Sequence, residues 1–224
     1  KMVYKLQPDI IINNRSQMPM DFGTPEQHIS AEDDKGDGRG WEACMTMNDS
    51  WGYHKNDHDW KTPSESIRNL ITCARGGGNY LFNIGPKPDG SIPPESIKIL
   101  TKVGEWLKGK NSKTIFGSDR CNVGGSLFAT FTQKGKTLWV HCKHWPGSDW
   151  SLAGLKTKVK SAKLLCTGQK VKFEQDKFRL HFTGLPTSAP DDPITVIELE
   201  MASANIKQDR SFKDIIRADV DVSF

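Results

Sequence analysis

Four residues near the start of the sequence have types suited to chemistry on a sugar: Arg15, Glu26, Glu42 and Trp51. Two carboxyl groups about 5–5.5 Å apart support retaining hydrolysis of a glycosidic bond, one as nucleophile and the other as acid/base. An aromatic ring beside them offers an apolar wall to the sugar. An arginine supplies a cation that hydrogen-bonds hydroxyls and carboxylates. A blander reading fits the same residues, with Glu26 and Glu42 as solvated loop acids and Trp51 as a core plug. His54 and His58 stand at i and i+4, a metal-ligand spacing when it falls on a helix. Gly52 and the polar neighbours make that stretch read as a loop, so no metal site is expected there. Gly76-Gly77-Gly78-Asn79 leads from a helix into a strand, the reverse of a phosphate-binding loop.

The elements that must position these residues alternate in type. A helix end precedes Gln7-Pro8-Asp9, and the β-branched run Ile10-Ile11-Ile12-Asn13-Asn14-Arg15 reads as a strand covered on both faces. The polar stretch from Ser16 to Gly40 is long for a loop inside a compact domain, which points to function. Trp41–Asn48 reads as a second strand. Thr62-Pro63-Ser64-Glu65 supplies an N-cap, a proline at the first helical position and a capping-box glutamate. Ile67, Leu70, Ile71 and Ala74 form the apolar stripe of that helix, and the glycines end it. Tyr80–Ile84 reads as a third strand. A further helix follows Pro93-Pro94, with Ile97, Leu100, Val103, Gly104 and Leu107 on one side. Strand–helix alternation predicts an α/β fold with a parallel sheet over residues 1–116.

Beyond Phe116 short alternating strands recur at 127–132, 137–145, 162–166, 171–174, 178–182 and 194–200. Gly and Pro punctuate them, which predicts an antiparallel β-sandwich over 117–203. Residues 204–224 carry only a weak strand signal at Ala218–Val222 and remain an unassigned tail.

Composition excludes several classes. The chain has 224 residues, 36% hydrophobic and 26% charged, a mean hydropathy of -0.57 and a net charge of +4. Repeats and low-hydrophobicity tracts are missing, and no apolar run reaches the roughly 18 residues of a membrane span. The first 116 residues carry 15 basic and 15 acidic side chains, so all the excess charge lies in the second part. Its lysines (156, 158, 160, 163, 170 and 172) alternate with other residues, as on a solvated β face rather than a nucleic-acid groove. Five cysteines at irregular spacing, without a C-x-x-C pair, argue against a disulfide framework or zinc ribbon.

Four ordered strings carry a more specific signal: Leu6–Arg15, Asp21-Phe22-Gly23-Thr24-Pro25-Glu26-Gln27, Trp41–Tyr53 and Gly77–Pro86. Together they resemble family 29 glycoside hydrolases, the α-L-fucosidases, over residues 1 to about 116. The β-rich remainder is similar to that family's C-terminal sandwich in position and pattern only. The resemblance implies the C-terminal half of a (β/α)8 barrel followed by an all-β antiparallel sandwich, acting on fucosylated oligosaccharides or glycoconjugates. It implies a retaining mechanism with no metal or organic cofactor.

Residue by residue, the resemblance matches the acid/base to Glu26, with Glu42 as runner-up because the loop carrying this residue varies among relatives. It places Arg15 near the reacting centre and Trp51 against the sugar. The family's nucleophile, an aspartate at the end of the preceding barrel strand, would lie upstream of Lys1, and so would its fucose-binding histidines. A complete (β/α)8 barrel takes about 250 residues, so the chain is expected to need the missing N-terminal half as a partner and to be inactive alone. The resemblance also implies export, to a periplasmic, extracellular or lysosome-like compartment. Oligomeric state stays open. Two non-enzymatic readings stand beside this one: a carbohydrate-binding protein using Trp51, Trp139, Trp145 and Trp150, and a degenerate fucosidase-like protein.

Overall fold

The structure is a computed structural model that describes residues 2–17, 21–29 and 39–209. The chain divides into two compact units, Lys1–Leu100 and Thr101–Phe224.

The first unit contains α1 (Met2–Leu6), β1 (Phe22–Gly23), β2 (Gly40–Thr46), α2 (Pro63–Gly76), β3 (Asn79–Asn83) and the beginning of α3 (Pro94–Lys108). The strands form a parallel sheet in the order β1-β2-β3. Parallel pairing needs a crossover, and α2 supplies it between β2 and β3. Thr62 caps α2 by accepting the Glu65 N–H at 3.1 Å, Pro63 opens it, and Gly77 closes it at φ 71°. The chain then turns directly into β3 because Gly78 has no side chain: a Cβ there would lie 2.2 Å from the Trp41 ring.

Alternation along β2 sorts its side chains. Trp41, Ala43 and Met45 are buried, and Trp41 and Ala43 cluster with Cys73 of α2 and with Tyr80. Glu42, Cys44 and Thr46 share the other face with Asn79, Leu81 and Asn83, their register partners on β3. Leu81 on that face is 48% exposed.

Two expectations for this unit are corrected. Ile10–Ile12 is not a covered strand: Ile10 and Ile11 are exposed, and pairing to the sheet begins only at the Asn13–Phe22 bridge. The stretch is held instead by Asp21, whose carboxylate accepts the Ile12 N–H at 2.8 Å and whose N–H donates to the Ile12 carbonyl at 2.9 Å. On α3, Ile97 and Leu100 are exposed, whereas Ser96, Ile99 and Trp106 are buried. The buried stripe is rotated because small Ser96 fits against the chain and its hydroxyl donates to the Ile84 carbonyl at 3.4 Å.

The second unit contains β4 (Ala129–Lys134), β5 (Thr137–Cys142), β6 (Trp150–Ala153), β7 (Val159–Leu164), β8 (Lys172–Gln175), β9 (Arg179–Thr183) and β10 (Thr195–Met201). They form two antiparallel sheets, β4-β5-β10-β7 and β6-β9-β8, around a shared core that includes Phe131, Val140, Leu164, Leu180, Phe182 and Leu199. Strand β6 carries no sequence signal, since four residues are too few to display alternation. The outer face of the larger sheet is covered from α3: Trp106 is buried and its indole donates to the Ile194 carbonyl at 2.9 Å. The six alternating lysines are all exposed, as their pattern predicts.

The tryptophans expected on a sugar-binding surface are used otherwise. Trp139 is buried with its indole on Glu198, Trp145 bonds the Pro186 carbonyl, and Trp150 stacks on Phe182. All five cysteines are free thiols. No helix among the described residues is long and apolar enough to cross a membrane. The weak strand signal at Ala218–Val222 lies outside the described residues.

Candidate active site

Three parallel segments carry the candidate residues to the C-terminal ends of β1 and β2, the end of a parallel sheet where loops build sites. Arg15 lies in a 3-10 turn over Asn14–Ser16, capped by the Asn13 side chain, which accepts the Arg15 N–H at 3.1 Å. Glu26 lies just past β1. Its backbone continues the register of that strand: Phe22 faces Gly40, Gly23 faces Trp41, and Glu26 faces Cys44. Cys44 N–H donates to Pro25 O at 2.9 Å, and Gln27 N–H to Cys44 O at 3.0 Å, so the ladder runs to the edge of the site.

The structure brings Arg15 and Glu26 together in an ion pair, with both side chains about half exposed. A clamp fixes their spacing. Asn14 Oδ1 accepts both the Thr24 N–H at 3.1 Å and the Thr24 hydroxyl at 2.8 Å, tying the residue before Arg15 to one two positions before Glu26. A second clamp lies on the far side of Glu26. Gln27 takes the left-handed conformation, φ 56°, which turns its side chain toward Thr46. Its amide donates to Thr46 Oγ1 at 2.9 Å and accepts from the Thr46 N–H at 3.5 Å. A non-glycine residue in that region costs of order 1 kcal/mol or more, and such outliers gather at functional sites.

Glu42 shares the inward face of the sheet but sits two residues nearer the N-terminal end of β2 than Cys44, about 7 Å deeper at roughly 3.3 Å per residue. It lines a separate cavity of about 830 Å³ with Tyr4, Ile11, Phe22, Trp41 and Asn79. Burial pushes the Cys44 thiol up, and the Arg15, Glu26 and Glu42 charges all act on it.

Trp51 follows β2 and is 43% exposed. Its carbonyl accepts from Asn83 Nδ2 at 2.5 Å, anchoring the loop to the end of β3. His54 and His58 lie outside any helix, and no group of three or more His, Cys, Asp or Glu that could hold a metal occurs among the described residues. Sequence reasoning missed Asn14, Thr24, Gln27, Thr46 and Cys44 as parts of the site. All belong to the strings quoted above, but their roles depend on strand register.

A family model described as Alpha-L-fucosidase matches residues 1–112. Tissue alpha-L-fucosidase from Mus musculus is 34% identical over 173 residues, covering 72% of this chain and 36% of the mouse protein. The Homo sapiens tissue enzyme is 37% identical over 112 residues, covering 47% of this chain and 24% of its own length. The chain thus spans about a third or less of these relatives. Among solved structures, alpha-L-fucosidase isoenzyme 1 from Paenibacillus thiaminolyticus superposes with a TM-score of 0.78 at 34% identity, covering 89% of this chain and 52% of that one. A Thermotoga maritima alpha-fucosidase in complex with a mechanism-based inhibitor gives 0.76 at 26% identity, covering 89% and 47%. With half of its length matched by the family model, the chain belongs to the alpha-L-fucosidase family.

Proposed function

We propose that these residues form the acid/base side of an α-L-fucosidase site acting on fucosylated glycans by a retaining mechanism. Residues 1–116 are read as the C-terminal half of a (β/α)8 barrel and 117–203 as its sandwich domain. The observation that carries the proposal is the Arg15–Glu26 pair at the C-terminal end of β1. Glu26 rather than Glu42 acts as acid/base, because Glu26 reaches the rim where loops meet substrate while Glu42 lies deeper along β2.

Glu26 must start protonated to deliver a proton to the leaving oxygen, and then act as base toward water. The nucleophile is an aspartate contributed by sequence outside these 224 residues. Its charge, while present, favours a proton on a carboxyl held close by. Once the nucleophile is esterified, the like charge is gone and Glu26 is free to ionise and serve as base. Arg15 then orients the sugar, and Trp51 walls its apolar side.

The test joins this chain to the upstream barrel half of the Paenibacillus relative and follows aryl α-L-fucosides. Glu26→Ala should slow fucosylation from poor leaving groups by about 10²–10⁴, whereas on activated aryl leaving groups azide should restore turnover and give the α-configured fucosyl azide. Azide rescue of Glu42→Ala instead would transfer the role to Glu42. The 224-residue chain alone should release no fucose, and release at ordinary enzyme rates would overturn the assignment of the nucleophile to another segment.

A further inference from the structure

Cys44 holds the chain on both sides of Glu26. Its N–H donates to the Pro25 carbonyl at 2.9 Å, and its carbonyl accepts from the Gln27 N–H at 3.0 Å, successive rungs of a parallel ladder. The next rung of such a ladder would take the Thr46 N–H to the backbone carbonyl of residue 27. Gln27 supplies a substitute. At φ 56° its backbone leaves the strand, and its side-chain carbonyl accepts the Thr46 N–H at 3.5 Å. The ladder therefore ends on a side chain, one residue past Glu26.

The bonds around Thr46 admit one arrangement. A backbone N–H only donates, so Gln27 Oε1 faces it and Nε2 faces the Thr46 hydroxyl at 2.9 Å. Thr46 Oγ1 accepts that bond, and its own hydrogen goes to the Asn48 carbonyl. Thr46 is fully buried, so water does not reach it to stand in for the carboxamide. Asn48 Oδ1 in turn accepts the Ser50 N–H at 3.3 Å, just ahead of Trp51. One threonine thus joins the turn after Glu26 to the root of the loop that bears Trp51. Glycine takes a left-handed turn without steric cost. A glutamine at that φ points to the carboxamide, rather than the turn alone, as what the position requires.

We propose that Gln27 is a positioning residue for proton transfer at Glu26. Its carboxamide caps the ladder and holds the left-handed turn, which keeps the Glu26 carboxyl at the end of β1. The carboxamide is committed to Thr46 and acts on the reaction only through Glu26. The proposal rests on the fucosidase reading with Glu26 as acid/base.

Amide hydrogen exchange of the 224-residue chain tests the clamp apart from catalysis. Gln27→Met keeps the side-chain length and removes the carboxamide. The N–H of residue 27 should then lose at least about tenfold in protection, and the Cys44 N–H, bonded on the near side of Glu26, should lose less. Unchanged protection at residue 27, or equal loss at both amides, would overturn the clamp.

The joined enzyme tests the consequence, because kcat/KM reports the fucosylation step in which Glu26 acts as acid. Gln27→Met and Thr46→Val should each lower kcat/KM at least about tenfold on phenyl α-L-fucoside, whose leaving group needs the proton. On the activated dinitrophenyl fucoside the loss should stay below about threefold. Thr46→Ser, which keeps the hydroxyl, should recover most of the loss. Gln27→Gly, free to make the turn but without the carboxamide, should lose as much as Gln27→Met. Equal losses on the two fucosides would mark a merely structural role, and full kcat/KM in Gln27→Gly would show that the backbone turn suffices; either result refutes the proposal. An unsubstituted joined enzyme that cleaves no fucoside refutes the fucosidase reading, whereas the other results refute the positioning role alone.

Discussion

Replacing Glu198 with glutamine removes the charge from a carboxylate that three donors share. Lys113 Nζ lies 2.5 Å from Oε2, Lys163 Nζ 2.9 Å from Oε1, and the Trp139 indole donates to Oε2 at 2.9 Å. Burial alone would push this carboxyl up. The bonds from Lys113, Lys163 and Trp139 outweigh burial and hold it at about 2 against an ordinary 4.5. At about 1.36 kcal/mol per unit, the difference sets a ceiling of about 3 kcal/mol on what ionisation contributes to folding. Glu198 is 13% exposed but Lys113 and Lys163 are 49% and 48% exposed, and solvent screening of the lysines lowers the expected value to about 2 kcal/mol.

The sign follows from the depressed folded-state value. The stabilisation is complete above about pH 4.5, where the unfolded chain is also ionised, and is lost as pH falls through about 2. Urea unfolding followed by tryptophan fluorescence, with Trp139 as a direct reporter, should show Glu198→Gln less stable by about 2 kcal/mol at pH 7. The gap should shrink by more than half at pH 3. A gap that stays constant from pH 7 to pH 3 would show that charge at Glu198 is not what holds the sheet to the turn carrying Lys113.

Two further perturbations probe the first unit. Gly78→Ala sets a methyl 2.2 Å from the buried Trp41 ring, and the resulting shift of ring or backbone should cost about 1–3 kcal/mol in urea unfolding; an unchanged midpoint would mean that the ring has room to move. Asn14→Ala removes the acceptor that fixes Thr24 near Arg15 and should lower kcat of the joined enzyme on poor leaving groups by about tenfold. Asn14→Asp, which keeps the acceptor, should recover most of that loss.

Several elements are legible from local chemistry alone. The cap Thr62-Pro63-Ser64-Glu65 and the stop at Gly77 bound α2 because capping is decided within a few residues. The parallel pair β2 and β3 follows from strand–helix alternation, and the solvated lysine face from side-chain periodicity. Ile10–Ile12 misleads because an apolar run has the same composition whether neighbouring elements cover it or not. Ile97 and Leu100 mislead because helical periodicity leaves the buried face ambiguous by one residue, and the Ser96–Ile84 bond decides it. For the candidate site, residue types could be read but their grouping could not. That Glu26 stands opposite Cys44 and reaches Arg15 depends on strand register, on the Asn14–Thr24 clamp and on the left-handed turn at Gln27.

The register between the segment 22–26 and the strand 40–44 bears on which changes of sequence Glu26 can tolerate nearby. The offset is eighteen residues at Phe22, at Gly23 and at Glu26 alike. Glu26 is therefore placed by the sheet before the intervening connection begins, and Cys44 returns to meet it only after that connection ends. Changing the length of the connection costs little chain entropy, about 0.6 kcal/mol for a doubling, and does not displace the carboxylate. Substitutions between residues 28 and 39 are therefore expected to leave Glu26 opposite Cys44.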